Sequence, residues 1–441
     1  MRLRSRARNR YALRAISALG LALLVAGLAL AAGGGTWHSA NNLSNLPGRS
    51  FQTTAARNPV TGDLYVAWTE DGATTWEEIM LRRWDSATGV WLAAENISQS
   101  PEWARDGGPV LIFDAQGHGL LIWTRTYSAS AGAPASGHDV LWRAWDGTSW
   151  SAEAVLMHDE AYLPGSPGTM GLIPVRASDS IRLFIVWGNG YRTAEYQSGT
   201  WSPLTPWDYS LTVSLAGAVA DDAGLLHVAA FGPNSIQWGY NYWFDDAYYL
   251  TYDKGTWSAA ENLSYTDGVA DTVSLAFDGQ GRLHFLWSDP DSPYSDESLK
   301  SAIWERVYED GAWTPNAEVT ADNPDQAIDG FSLVAGGDGN LHLAWSEGLL
   351  VEGVQTGVDI HYQAGDGTTW GAETKVYTST AASRYPIVGE TGEGPYALWQ
   401  EVFWAGGPLY DHEVYFSRQI AEEGPIYQTY LPLAGNGGQS P

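Results

Sequence analysis

Three arginines occupy corresponding places in an internal repeat. Arg49, Arg105 and Arg384 each stand just before a strand-like apolar run. Guanidinium groups bind carboxylates in bidentate fashion. Three of them on one rim would make a positive spot on a chain whose net charge is −28. An acidic sugar or another carboxylate is the natural ligand of such a spot. Aromatic side chains in nearby loops, Trp103, Trp238, Trp243 and Trp404, add flat faces on which sugar rings stack. The alternative is structural. Each arginine would then pair with a loop acid such as Asp106, and the loop carrying Trp238 and Trp243 would fold over its own repeat.

No catalytic set can be assigned. Glu70, Asp71, Glu347 and Glu401 follow strand-like runs in different repeats and could form a carboxylate pair of the kind that cleaves glycosides. With 51 acidic residues in the chain, such coincidences are expected. There is no nucleophile elbow, phosphate loop or His-Glu-x-x-His motif. His227, His284 and His342 share one position of three successive repeats. Neighbouring repeats are too far apart for one common ion, so these histidines are expected to hydrogen-bond between repeats. Asp289, Asp291, Asp296 and Glu297 could hold calcium but lack EF-hand spacing and read as a solvated loop. No metal and no cofactor is therefore expected.

The elements that must position these residues are short strands. Among 441 residues there are 50 glycines, 21 prolines, 23 tryptophans and 23 tyrosines, with only 17% charged. Aromatics and turn formers in that proportion favour strands joined by tight turns. The acidic balance excludes a polyanionic partner such as nucleic acid. The absence of cysteine excludes disulfides, thiolate metal sites and thiol catalysis.

Two phrases alternate along the chain. One is a strand ending at Trp68, Trp123, Trp187, Phe231, Trp287, Trp345 and Trp399. The other is a strand, a glycine turn and a tryptophan, ending at Trp91, Trp150, Trp201, Trp257, Trp313 and Trp370. A period of about 50 residues with four strands per repeat predicts an all-β chain folded as a single β-propeller. The first phrase occurs seven times and the second six times after it. The missing copy lies at the front, where GTWHSANNLSN at 35–45 matches GTWSAAENLSY at 255–265. The amino-terminal strand is thus expected to close a seventh four-stranded blade begun near Tyr385; a distorted six-blade ring is the alternative. In the fifth repeat the strands are expected at 272–278, 282–287, 302–309 and near 313–320.

The glycine-turn-tryptophan phrase resembles the Asp-box (BNR) repeat of the sialidase-like superfamily, Ser-x-Asp-x-Gly-x-x-Trp. Asp146-Gly147-Thr148-Ser149-Trp150 and Asp366-Gly367-Thr368-Thr369-Trp370 come nearest. The resemblance implies a propeller fold and, by analogy, glycan-directed activity. Sialidases carry an Arg-Ile-Pro motif near their start. Here the nearest string is Arg384-Tyr385-Pro386, near the end.

Residues 1–32 join six arginines to an apolar run and read as a secretory signal of a bacterial type, with an uncleaved anchor as the alternative. The propeller is expected over 33–419 and a tail over 420–441. The sequence therefore describes an exported, extracellular or cell-surface monomer that needs no membrane beyond that possible anchor. Its expected partner is a glycan or a protein, bound where the loops before the first strand and after the second of each repeat converge. A binding or scaffold propeller is the first reading. A glycoside hydrolase or polysaccharide lyase and a protein-interaction module are the alternatives.

Overall fold

The computed structural model describes residues 35–46, 48–72, 76–101, 104–127, 137–159, 171–177, 180–187, 190–207, 213–233, 245–265, 270, 272–290, 301–320, 326–351, 354–379, 381–404 and 410–420. The expected signal segment, and the expected carboxy-terminal tail apart from Ile420, which ends a paired strand, lie outside the described residues. Those described form strands, turns and loops, with no helix among them.

The strands group into seven antiparallel units, numbered here in chain order and lettered A to D from inside to outside. Their A strands are Gly48–Arg57, Ala104–Phe113, Gly171–Arg176, Ser214–Ala220, Thr272–Phe277, Gln326–Ala335 and Ala382–Thr391. These pack one against the next in that order, and the last returns to the first. Units 6 and 7 are also joined by a single parallel bridge, Val358 to Ala382. In unit 5 the strands run Thr272–Phe277, Leu283–Pro290, Ser301–Glu309 and then Ala312–Trp313 with Ala317–Glu318. The sequence boundaries for that unit agree within a few residues.

Unit 7 contains Ala382–Thr391, Gly394–Trp404 and Tyr410–Ile420, and its outer strand comes from the other end of the chain. Thr36 lies opposite Ile420 and Trp37 opposite Gln419; Asn41 and Asn42 face Phe416 and Tyr415. The local chemistry repeats that of unit 4. The Ser44 hydroxyl accepts the Val414 N–H at 3.0 Å, as Ser264 accepts the Ala247 N–H at 2.9 Å. The Asn42 amide oxygen likewise accepts the Asn45 N–H, as Asn262 accepts that of Tyr265. Arg82 of unit 1 adds a bond to the Leu43 carbonyl, 2.7 Å long, across the seam.

Seven apolar clusters fill the seven seams between adjacent units. Trp68, Trp123, Trp287, Trp345 and Trp399, the last-but-few residues of their B strands, are fully buried in them. The outer-strand tryptophans are half-buried and reach back onto the preceding unit. Trp150 meets Tyr65, Trp201 meets Trp142, Trp257 meets Phe184 and Trp313 meets Tyr249, with ring centroids 5.0–6.4 Å apart. Trp370 donates its indole N–H to Glu305 at 3.2 Å. Trp37 packs on Tyr362 at 5.0 Å, and Trp91 on Phe416 at 5.1 Å, which completes the circuit.

The turns are clamped by carboxylates. Asp146 accepts the N–H groups of Thr148 and Ser149, both at 2.8 Å, and these bonds hold its pKa down to about 2. Asp366 is depressed by the same bonds from Thr369 and Thr368. The residues that resemble the Asp box thus shape the hairpin between strands C and D.

Removing one staple tests this packing. Trp37→Ala should lower the unfolding free energy by about 2–4 kcal/mol, somewhat below the scale for truncating a fully buried tryptophan because Trp37 is half-buried. Chemical denaturation followed by tryptophan fluorescence measures it, with unchanged stability as the contrary result.

Candidate functional site

The inner strands carry a shared irregularity near their amino-terminal ends. Their ladders skip between Phe51 and Thr54, Gly107 and Val110, Ile328 and Phe331, and Arg384 and Ile387. These units, 6, 7, 1 and 2, are consecutive around the ring. Each skip leaves two inner-strand residues unpaired, a bulge that turns side chains out of the sheet. Units 2 and 6 place Gly108 and Gly330 at positive φ there. Units 1 and 7 place Gln52 (φ 52°) and Tyr385 (φ 54°), side chains held in the left-handed region. The Gln52 side-chain oxygen accepts the Gly108 N–H at 2.7 Å and the Thr69 hydroxyl at 3.0 Å, tying adjacent bulges together.

The bulges correct the arginine alignment. Arg49 and Arg105 each lie two residues before the skip, whereas Arg384 is the last residue before it. The position in unit 7 that matches Arg49 is Ala382. Arg384 matches Phe51 and Gly107 instead, one side-chain repeat further along the strand.

Each arginine also meets an acid. Arg49 donates through Nε to Asp71 at 2.9 Å and engages it again through Nη2. Arg384 contacts Asp329 of unit 6 at 3.0 Å. Arg105 lies 3.3 Å from Glu77 and stacks over Trp76 at 4.5 Å. Asp106, the acid suggested for Arg105, is held by the buried Arg125 at 2.7 Å, which also binds Glu153.

Arg49 and Tyr385 line one cleft of about 500 Å³, together with Phe51, Gln52, Thr53, Gln400 and His412. Neither Arg105 nor Arg384 is among its lining residues. Tyr385 is 56% exposed although aromatic. His412 is a residue that sequence reading missed, although unit 2 carries His138 at the matching place, three residues before the one opposite the buried tryptophan. Its Nδ1 is buried without a hydrogen-bond partner. Burial lowers its pKa below the ordinary histidine value; the positive charges of Arg49 and Arg384 lower it further, against the opposing effect of Asp411. The cleft thus joins one guanidinium, that of Arg49, to a neutral imidazole and an exposed phenol.

Of the other expected ligand residues, Trp103, Trp238 and Trp243 lie outside the described residues. Trp404 ends strand B of unit 7, opposite Tyr410. Nothing in the geometry tests these four.

The carboxylates considered for catalysis are structural. Glu70 accepts the Trp68 indole N–H at 2.9 Å and the Ser50 hydroxyl at 2.6 Å. Glu401 accepts Trp399 and Ser383, and Glu347 accepts Trp345. The Trp-x-Glu spacing announces this role. The three histidines bond within their own units rather than between them. His227 and His342 meet the hydroxyls of Tyr249 and Tyr362, and His284 meets Glu305, each at 2.7 Å. Of the acidic loop 288–298, the side chains of Asp289, Asp291, Asp296 and Glu297 lie outside the described residues.

No protein-family model matches the sequence, and no curated protein matches it. Solved structures do. An ulvan lyase, a polysaccharide lyase, in complex with a disaccharide superposes with a TM-score of 0.52 at 10% identity, over 86% of this chain and 95% of that one. The fold is a β-propeller, as in that lyase. A Dyadobacter fermentans protein of unknown function gives a TM-score of 0.49 at 10% identity, covering 86% and 99% of the two chains. The NanB sialidase of Streptococcus pneumoniae gives 0.46 at 10% identity, covering 87% and 70%.

The electrostatics of the cleft are measurable. His412 should titrate below the ordinary histidine value of about 6.5, and Arg49→Ala should raise its midpoint. Histidine-resolved NMR titration reads both, and an unmoved midpoint in the variant would show that Arg49 does not act on the imidazole.

Proposed function

We propose that the chain is an exported β-propeller that binds an acidic saccharide in the cleft between units 7 and 1. The observation that carries this reading is the placement of Arg49, beside Arg384 and His412, in a cleft of an otherwise acidic protein. Asp71 occupies the Nε and Nη2 atoms of Arg49, so Nη1 is the atom assigned to a sugar carboxylate. Tyr385 supplies a face for the pyranose ring, and Gln400 supplies hydrogen bonds to hydroxyls. The fold likeness to a polysaccharide lyase agrees with a glycan ligand, at the level of architecture.

Calorimetric titration with oligoglucuronate and with a neutral oligosaccharide of equal length tests this. Binding of the acidic ligand alone is expected, weakened tenfold or more by Arg49→Ala, which corresponds to about 1.4 kcal/mol. Arg105→Ala should leave it unchanged, since that arginine is turned onto Trp76. Equal binding of both oligosaccharides, or of neither, contradicts the proposal.

His412 supports a second reading, a lyase acting on the same ligand. A guanidinium that neutralises a uronate carboxylate makes the adjacent C–H more acidic, and a neutral imidazole can accept that proton. The electron pair then forms a carbon–carbon double bond and breaks the bond from C4 to the glycosidic oxygen, and the departing sugar takes up a proton from water as its new hydroxyl. Ultraviolet absorption of the unsaturated product distinguishes turnover from binding alone.

A further inference from the structure

The opposite face carries a second constellation. At the turn between strands A and B, His227 and His284 each have an aspartate six residues earlier. The Asp221 carboxylate lies 3.6 Å from His227 Nε2, and Asp278 lies 3.2 Å from His284 Nε2. In unit 5 the same Asp278 also binds Arg282, so that site is filled from within. Unit 6 departs from this pattern. Six residues before His342 stands Gly336, which has no side chain to offer.

The space left by the missing carboxylate is where three ligand atoms converge. A Cβ built on Gly336 would come within 2.5 Å of His342 Nε2, 2.7 Å of an Asp338 oxygen and 3.0 Å of a Glu390 oxygen. The ligand atoms of these three residues all lie within 4.8 Å of one another. His342 is 4% exposed, and its Nε2 is buried without a hydrogen-bond partner. Its Nδ1 meets the Tyr362 hydroxyl at 2.7 Å. With Nδ1–H donating there, the Nε2 lone pair faces the two carboxylates. Asp338 is oriented by the Asn340 N–H and side-chain amide at 2.9 and 2.6 Å, and Glu390 by the Gly337 N–H.

We propose that Asp338, His342 and Glu390 bind a divalent transition-metal ion of the zinc or manganese type. One imidazole and two carboxylates suit such ions, at bond lengths of about 2.0–2.2 Å for zinc. Glu390 belongs to unit 7 and the other two ligands to unit 6, so the ion clamps one seam of the ring. A second acid–histidine group among the described residues, Glu347, His361 and Glu373, is already satisfied: His361 bonds Glu373 at 2.6 Å and Glu347 takes the Trp345 indole. The sequence alone gave no reason to expect a metal. The substitution of glycine for the repeat's aspartate is the signal that an alignment of the turns contains.

Calorimetric titration of the chelator-treated chain with zinc(II), and separately with manganese(II), tests the site. One high-affinity equivalent per chain is expected, with a rise in the thermal midpoint. Glu390→Gln should weaken binding at least tenfold and remove the thermal shift. Gly336→Asp should do the same by supplying the carboxylate that His227 and His284 have. If Gly336→Asp fails to fold, Glu390→Gln, which only exchanges an oxygen for an amide, decides alone. Absence of binding by the wild-type chain, or binding by Glu390→Gln as tight as wild type, overturns the proposal.

Discussion

The contact on which the ring depends is the reach of each outer-strand tryptophan onto the preceding unit. A four-stranded antiparallel sheet of this length cannot bury both of its faces alone. Stacking supplies the second face, and the tryptophan holds the outer part of the stack in register, where the sheets diverge. Seven such residues, from Trp37 to Trp370, make seven contacts. One comes from the amino-terminal segment. The first few described residues are therefore as important to the last seam as any inner strand is to its own.

Closure also explains why the cleft lies where it does. Units 7 and 1 meet where the first and last described strands pair, and both carry a bulge with a non-glycine residue at positive φ. A residue held in the left-handed region costs free energy that the surrounding ladder must offset. Gln52 returns part of it through bonds to Gly108 and Thr69. The ring of Tyr385 instead stands exposed beside Arg49 and His412. Burial first, and then the charges of Arg49 and Arg384, depress the basicity of His412 against the opposing effect of Asp411.

Much of the fold was legible because its signals are local and repeated. The Asp-Gly turns, the tryptophan that ends each hairpin and the Asn-x-Ser copies at 42–44, 96–98 and 262–264 each do the same hydrogen-bonding work wherever they occur. The match between 35–45 and 255–265 accordingly located the strand that pairs with Tyr410–Ile420. The candidate site was less legible for the converse reason. The bulges in units 1 and 7 carry Gln52 and Tyr385 where units 2 and 6 have glycine, so no composition cue marks them, and Arg384 falls two residues out of step with Arg49. His412 has one counterpart, His138 of unit 2, in a repeat whose inner strand has Gly108 where unit 7 has Tyr385. Glu70, Glu347 and Glu401 could have been recognised as structural from their fixed spacing after a buried tryptophan.

The central claim is that residues near 36 and 420 are paired strands of one sheet. The chain contains no cysteine, so a pair introduced at Thr36 and Ile420 would be its only thiols. Directly opposed residues of antiparallel strands have Cα atoms about 4.5–5.5 Å apart, within the span of a disulfide. Under mild oxidation the double variant should lose both reactive thiols and form an internal cross-link. A control pairing Thr36→Cys with Thr272→Cys should keep them. Two thiols that stay reactive in the first pair, or a cross-link forming equally well in the control, would contradict the account.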